Sequence, residues 1–190
     1  GSIGRPAGGI EFRILADDGR EAPPGEPGEL QLRTPYIMAG YLGDEAITQA
    51  AFMEGWFRTG DLAQRDAEGY VTIVGRLKEL VVRGGNKIAP AEIERALAAC
   101  PGVAAAMVAG MPDPVLGQRI HALLIPRAGE AIDAAALRAS LAGSLEKFKH
   151  PDACYLGAEL PTGRTGKLER SQLPRLIAAG SVQPLAAWTS

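Results

Sequence analysis

The hydrophobic pattern of the chain changes at Arg76. Before that residue, segments that alternate apolar and polar side chains are separated by turns rich in Gly, Pro and Asp. Three such segments are FRILADDGR (12–20), GELQLRT (28–34) and AQRDAEGYVTIVGR (63–76). Alternation with period two, broken by turn residues, predicts antiparallel strands joined as hairpins. Beyond Arg76, segments of strand length alternate with segments of helical periodicity, so the whole chain is predicted to be α+β.

The second part of the chain contains two predicted helices and four predicted strands. In APAEIERALAAC, Ile93, Leu97 and Cys100 share one helical face, and Asp133 is placed to cap a second helix that carries leucines at every fourth position, 137, 141 and 145. The segments predicted as strands are ELVVRGG, GVAAAMVAG, RIHALLIPR and YLGAEL. The pattern predicts a β-rich first part over residues 1–76, a compact domain over 77–180 and a loose tail over 181–190.

Composition excludes several classes of function. The formal net charge of −2 gives no general attraction to nucleic acid or to an anionic membrane. No apolar run reaches the length of a membrane span. Cys100 and Cys154 have no CxxC or Cys/His neighbours, which argues against a zinc site or a disulfide framework and makes a reducing cytoplasm the expected location.

Three polar clusters are candidates for a functional site: GWFRTGDL (55–62), GRLKELVVRGGNKIAPAEIE (75–94) and PTGRTGK (161–167). The last resembles a phosphate-binding P-loop, but Pro161 stands where that loop needs glycine, and Leu168 follows Lys167 where it needs Ser or Thr. Each cluster taken alone has an ordinary explanation as a turn or as a solvated surface segment. Their order and spacing are more specific than any one of them.

Together with GELQLRTPYIMAGYL, and with the last one extended to PTGRTGKLER (161–170), these clusters resemble the C-terminal half of the adenylate-forming superfamily. That superfamily includes acyl- and aryl-CoA synthetases, peptide synthetase adenylation domains and firefly luciferase. The resemblance covers nearly the whole chain except about the last ten residues. It implies the β-rich end of a large AMP-binding N-terminal domain, part of a distorted barrel, followed by a small, mobile α+β lid domain.

The resemblance also implies roles for individual residues. Asp61 matches the carboxylate that accepts hydrogen bonds from the ribose hydroxyls of ATP, and Arg76 matches an arginine near the ribose and phosphates. Lys87 stands where some members carry a phosphate-contacting arginine. Lys78 falls at the hinge between the two domains. Lys167 matches the catalytic lysine that contacts the substrate carboxylate and the α-phosphate.

Gly84 and Gly85 match the loop that lines the pantetheine tunnel. The reaction implied uses ATP, Mg²⁺ and CoA, and converts a carboxylic acid to an acyl-AMP and then to a thioester. Lys78 and the residues of the segment KELVVRGGNKIAPAEIE favour a CoA synthetase. Two alternatives stay open: an adenylation domain that loads the phosphopantetheine of a carrier protein, and a non-catalytic docking module.

Two further family motifs would precede residue 1: a Ser/Thr/Gly-rich pyrophosphate loop and a Tyr-Gly-x-Thr-Glu segment. The chain is therefore expected to be a C-terminal portion that needs the missing N-terminal part of the same enzyme and forms no adenylate alone. The pocket for the acid would lie in that upstream part.

Overall fold

The computed structural model describes residues 2–188 and divides the chain into two compact units, Gly1–Lys78 and Glu79–Ser190. Both units combine strands with helices, so the α+β prediction is confirmed. None of the helices within residues 2–188 is long and apolar enough to cross a membrane.

The N-terminal unit is built on one antiparallel sheet. Its described strands follow the order β1-β6-β5-β3-β2, with β4 added to β5, and they form an open sheet and not a closed barrel. The elements are β1 (Ser2–Gly4), β2 (Glu11–Leu15), β3 (Gly28–Arg33), α1 (Glu45–Ala51), β4 (Phe52–Met53), β5 (Trp56–Arg65) and β6 (Val71–Arg76).

Both predicted hairpins of this unit are present. β2 pairs with β3 in the register Arg13↔Gln31, and β5 pairs with β6 in the register Arg65↔Val71. The turn between β5 and β6 is closed by Asp66, whose side chain accepts a hydrogen bond of 2.7 Å from the backbone of Tyr70. Such local side-chain bonds are the reason why aspartate marks turns in a sequence.

Helix α1 was not predicted from the hydrophobic pattern. Asp44 caps it by accepting a hydrogen bond of 2.8 Å from the backbone N–H of Ile47, as an N-cap carboxylate does. The helix buries none of its residues. It therefore has no apolar stripe that periodicity could reveal.

The C-terminal unit is a mixed sheet with helices on both faces. A single turn of 3₁₀ helix at Leu77–Glu79 enters the unit, and further 3₁₀ turns lie at Lys147–Lys149 and Arg170–Gln172. Its elements are β7 (Val81–Arg83), β8 (Asn86–Ile88), α2 (Pro90–Ala98), β9 (Val103–Asp113), β10 (Gly117–Pro126), α3 (Ala134–Ala142), β11 (Ala153–Leu156), α4 (Leu173–Ala178) and β12 (Gln183–Pro184).

Strand β10 organises this unit. It pairs along its whole length with β9 in an antiparallel hairpin, and with β11 in parallel over His121–Leu124. Successive side chains of a strand point to opposite faces. Ile120, Ala122 and Leu124 accordingly belong to the core cluster under α2 and α3, whereas Leu123 belongs to the cluster that contains Leu173 of α4.

Helices α2 and α3 cover the first face in the way that their periodicity predicts. Ile93, Leu97 and Cys100 are fully buried, as are Leu137 and Leu141. Asp133 caps α3 as predicted, because its carboxylate accepts hydrogen bonds from the backbone N–H groups of residues 135 and 136. Each apolar side chain of this size that a helix buries stabilises the fold by roughly 1.5–3 kcal/mol.

Two element boundaries differ from the prediction. Helix α3 ends at Ala142, so Leu145 lies outside it, although Leu145 still packs partly buried against the same core. Gly143 and Ser144 follow the last helical residue and both favour helix ends over helix interiors. The strand expected over YLGAEL begins earlier, at Ala153, and ends at Leu156.

The segment predicted as a loose tail is instead packed on the unit as far as it is described. β12 pairs with β11, Leu185 is buried in the core, and the indole N–H of Trp188 donates a hydrogen bond of 3.2 Å to the carbonyl of Pro151. Two residues of the predicted tail, 189 and 190, lie outside the described residues. The segment lacks a periodic apolar pattern, so its order could not be predicted locally. Tertiary contacts order it.

We expect His121 to lose affinity for protons in the folded protein. Burial lowers its pKa below the ordinary value of 6.5, because desolvation disfavours the charged imidazolium. The unfolded chain then binds the proton more tightly, so stability present above pH 6.5 is lost as the pH falls through the folded pKa. An NMR titration of the imidazole should give a pKa below 6.5. Substitution His121→Gln should make the unfolding free energy fall less between pH 7.5 and pH 5, and an equal fall would contradict the prediction.

Candidate functional site

Asp61 and Arg76 form an ion pair across two neighbouring strands. They are direct partners in the β5–β6 register, and Nε of Arg76 lies 2.9 Å from Oδ1 of Asp61. The carboxylate side chain is 23% exposed and the guanidinium side chain 44% exposed. Oδ1 is buried, yet no donor among the described residues reaches it with hydrogen-bond geometry. The contact is thus electrostatic and leaves acceptor capacity on Asp61.

The backbone around Asp61 is irregular. The pairing of β3 with β5 shifts register between Glu29 and Gln31, and Gly60 has a φ of 69°. The hydroxyl of Thr59 accepts a hydrogen bond of 3.0 Å from the backbone N–H of Asp61 and donates one of 2.7 Å to a carbonyl of β3. Bulges of this kind re-aim a side chain beside a site, and here the irregularity lies immediately before the predicted ribose ligand.

A buried polar network supports the same sheet. Gln31 is only 2% exposed, and its amide oxygen accepts a hydrogen bond of 3.0 Å from Nε of Arg13. Its amide nitrogen donates one of 3.1 Å to Glu29, which is also paired with Arg58 at 3.0 Å. Because each of these groups has a partner, the sheet can carry polar side chains next to its core without an unpaired buried charge.

Gly84 and Gly85 form the two-residue turn of the β7–β8 hairpin. Their φ angles are 54° and 83°, and Arg83 pairs with Asn86 on either side. Two positive φ angles in succession are what a type I′ hairpin turn requires, and glycine adopts them without strain.

Lys78 and Lys87 are exposed and lie on either side of this hairpin turn in the sequence. Lys78 is in the 3₁₀ turn that closes the N-terminal unit, next to Glu79, the first residue of the C-terminal unit. Lys87 is on β8, opposite Val82. The location of Lys78 at the boundary between two compact units is where a hinge is expected.

Lys167 stands on a small closed hairpin. Thr162 and Leu168 form an isolated bridge, and the backbone N–H of Gly163 donates a hydrogen bond of 2.8 Å to the carbonyl of Lys167. Gly166 has a φ of 74°, which allows the chain to reverse just before the lysine. The Lys167 side chain is exposed, and its amine makes no hydrogen bond or ion pair with a side chain that the structure describes in its own unit.

Arg170 follows this hairpin and anchors it, a role that the sequence patterns do not indicate. One of its terminal nitrogens donates a hydrogen bond of 2.7 Å to Glu79, and the other donates bonds of 3.0 and 2.9 Å to the two oxygens of Glu94. Glu94 also accepts a hydrogen bond of 2.8 Å from the backbone of Val108. The base of the hairpin is therefore tied to α2, to β9 and to the residue after Lys78.

The predicted site residues fall into two groups. Asp61 and Arg76 are in contact in the N-terminal unit, as an adjacent pair of strands brings them together. Lys78 is the last residue of the same unit, and the other candidates, Gly84, Gly85, Lys87 and Lys167, belong to the C-terminal unit. Within residues 2–188, no three His, Cys, Asp or Glu side chains are grouped as a metal site.

Two family descriptions match this chain. Residues 92–167 match the AMP-binding enzyme C-terminal domain, and residues 1–42 match AMP-binding enzyme. The relatives and solved structures that resemble it come from the same group of enzymes. The chain therefore belongs to the adenylate-forming superfamily.

Curated relatives are CoA ligases. The chain is 48% identical over 174 residues to a sulfoacetate–CoA ligase of Cupriavidus necator, and the match covers 91% of this chain and 34% of the ligase. It is 37% identical over 178 residues to an indoleacetate–CoA ligase of Aromatoleum aromaticum, with 94% of this chain and 35% of that ligase covered. The chain thus spans about a third of the length of the relatives that it matches.

Solved structures of the superfamily resemble it closely. An o-succinylbenzoate CoA synthetase of Bacillus subtilis, in complex with its acyl-adenylate intermediate, matches with a TM-score of 0.82 and 35% identity over 91% of this chain and 35% of that one. ATP-bound MatB of Rhodopseudomonas palustris matches with a TM-score of 0.84 and 34% identity over 92% of this chain and 35% of that one.

We expect Gly85→Ala to destabilise the C-terminal unit by about 1–2 kcal/mol, because a Cβ at positive φ is strained even where no atom lies near it. Gly143→Ala is the matched control. Gly143 has a negative φ and its added Cβ would meet the nearest atom at an ordinary 3.7 Å, so this change should be neutral or slightly stabilising. Urea denaturation of both variants measures the difference, and equal stabilities would contradict the assigned turn.

Proposed function

We propose that this chain contributes the ribose-binding edge and the lysine-bearing lid of an ATP-dependent acyl- or aryl-CoA ligase. The observation that carries the proposal is the exposed amine of Lys167, which stands on a closed glycine hairpin and has no described partner in its own unit. A lysine with only a structural role does not need to be held on a closed hairpin. A lysine that must contact a separate reactant does, because its amine has to be placed accurately. The CoA ligases among its relatives support the same function.

In the first half-reaction a substrate carboxylate oxygen attacks the α-phosphorus of MgATP. The new bond joins the carboxylate to AMP, and the bond from the α-phosphorus to the bridging oxygen breaks, so pyrophosphate leaves. Both reactants are anions. The ammonium group of Lys167 would lie between the carboxylate and the α-phosphate oxygens, where it offsets their repulsion and stabilises the charge of the transition state.

The nucleotide would be held by the N-terminal unit. An ionised carboxylate is a strong acceptor for two neutral hydroxyl donors, so Asp61 would bind the ribose hydroxyls. Nε of Arg76 lies 2.9 Å from this carboxylate, so the guanidinium would lie near the ribose and phosphates. Lys87 would add positive charge towards a phosphate. Mg²⁺ would enter with ATP, bound to its phosphate oxygens.

In the second half-reaction the thiol of CoA attacks the acyl carbon and AMP leaves, while the thiol proton passes to solvent. Gly84 and Gly85 carry no side chain, so the pantetheine arm could approach the backbone of their turn closely. The two half-reactions need different protein groups, Lys167 and then the glycine turn, at the same place beside the reacting acyl group. Rotation about Lys78 would withdraw Lys167 and bring the glycine turn in, in the manner of a hinged domain closure.

The acceptor and the acid define the finer proposal. The curated relatives include ligases that act on sulfoacetate and on indoleacetate, so we propose CoA as the acceptor and a small organic carboxylate as the acid. A carrier-protein phosphopantetheine presents the same thiol arm. Assaying the complete protein with CoA and with a holo carrier protein separates the two, and thioester found only on the carrier would overturn the choice of CoA. ATP and CoA are available in the cytoplasm, which we propose as its location.

Substituting Lys167→Met in the complete protein should lower the rate of acyl-adenylate formation by about 10²- to 10³-fold, as the loss of one charge-stabilising contact does. The KM for ATP should change little. Pyrophosphate exchange dependent on the acid measures this step, and thioester formation from supplied acyl-adenylate measures the other.

Lys147→Met provides the control, since it removes an exposed lysine from the same unit and lies outside the proposed site. It should leave both half-reactions unchanged. If Lys167→Met exchanged pyrophosphate as fast as the wild type, the catalytic role of Lys167 would be wrong. A complete wild-type protein that forms no adenylate with any acid would favour the docking-module interpretation.

A further inference from the structure

Arg170, Glu79 and Glu94, to which the sequence analysis assigns no role, form a partly buried ion-pair network that begins three residues after Lys167. Arg170 is 19% exposed, Glu94 13% and Glu79 32%. These residues are far apart in the chain, but one guanidinium contacts both carboxylates at 2.7 to 3.0 Å. Such a network is costly to desolvate and adds stability only when its geometry is well satisfied, which suggests that it does more than stabilise the fold.

Each member of the network fixes a different part of the unit. Glu79 immediately follows Lys78, at the end of the 3₁₀ turn between the two units. Glu94 lies on α2 and holds the backbone of Val108 on β9. Arg170 comes three residues after Lys167, next to Glu169, whose backbone N–H closes the hairpin with a bond of 2.9 Å to the carbonyl of Pro161.

We infer that Arg170 is a positioning residue that makes Glu79, helix α2 and the Lys167 hairpin move as one rigid body. The inference rests on the proposed role of Lys167. Glu79 and Lys167 are 88 positions apart in the chain, but through the Arg170 guanidinium the link is one side chain and the three backbone steps from residue 170 to residue 167. A rotation about Lys78 then moves Lys167 directly.

The geometry explains why arginine occupies this position. The guanidinium is planar and presents its two terminal nitrogens in a fixed fork, so each carboxylate is held in a defined direction. A lysine ammonium is a point charge on a flexible stem and would hold neither direction. Since a misplacement of about 1 Å in a catalytic group can cost on the order of 10²-fold in rate, a loosened fork should affect the step that uses Lys167.

The principal experiment compares Glu79→Gln with Glu92→Gln in the complete protein. Both remove the charge of a glutamate that is about one-third exposed and pairs with a largely buried cation, because Glu92 accepts a hydrogen bond of 2.6 Å from Lys149. Only Glu79 belongs to the Arg170 network. Glu79→Gln should lower kcat for acyl-adenylate formation by about 10- to 100-fold. The KM for ATP and thioester formation from supplied acyl-adenylate should stay within about twofold of the wild type.

A second variant, Arg170→Lys, keeps the charge and loses the fork. Amide hydrogen exchange is its readout, because this does not depend on catalysis. Exchange in residues 161–169 should become about tenfold faster or more in Arg170→Lys, as local opening of a segment requires, and should be unchanged in Glu92→Gln. Adenylation should fall in parallel with this loosening.

The outcomes separate the positioning role from the proposed function. A wild-type protein that forms no adenylate would refute the function, and exchange in residues 161–169 would then decide the positioning role alone. Equal exchange in Arg170→Lys and Glu92→Gln would overturn it. Equal loss of both half-reactions in Glu79→Gln would also overturn it, because general destabilisation, and not placement of Lys167, would then be the cause.

Discussion

The C-terminal unit depends on one strand, β10, being buried on both faces. Its residues alternate between the core under α2 and α3 and the core under α4, so helices are needed on either side of the sheet. Leu173 at the start of α4 is fully buried in the second core. The chain leaves β11 at Leu156 and enters α4 at Leu173, and the Lys167 hairpin lies in the segment that connects them.

Polar contacts then set the positions of residues that the core leaves at the surface. Arg170 connects the hairpin to Glu79 and Glu94, and Arg83 is fixed in the same way, because it donates hydrogen bonds of 2.7 Å to Asp152 and to the carbonyl of Phe148. Asp152 in turn accepts a bond of 2.8 Å from the backbone of β10. Both arginines flank a glycine-bearing turn. The apolar core thus defines the unit, and guanidinium–carboxylate pairs fix the positions of its two glycine-bearing turns.

Much of the fold could be predicted from the sequence, because it depends on local patterns. The two hairpins, α2 with Ile93 and Leu97, and the Asp133 cap of α3 all follow from periodicity and turn chemistry. Helix α1 and strand β12 could not be predicted in this way. The first buries no residue, and the second is ordered by its pairing with β11 and by Trp188, contacts that no local pattern contains. Motif order identified Asp61 and Lys167 as candidates, whereas Arg170, the last residue of PTGRTGKLER, received no role from it.

The sequence by itself determined most of the segments that form strands and helices, which residues are candidates for chemistry and which superfamily the chain resembles, because these properties depend on neighbours in the chain. Tertiary structure alone decided the contacts between distant residues. The register of β5 against β6 brings Asp61 to Arg76, and the packing of α2 on the sheet brings Glu94 to Arg170. Such contacts depend on how strands align and layers stack, and those distances are absent from any local pattern of residues.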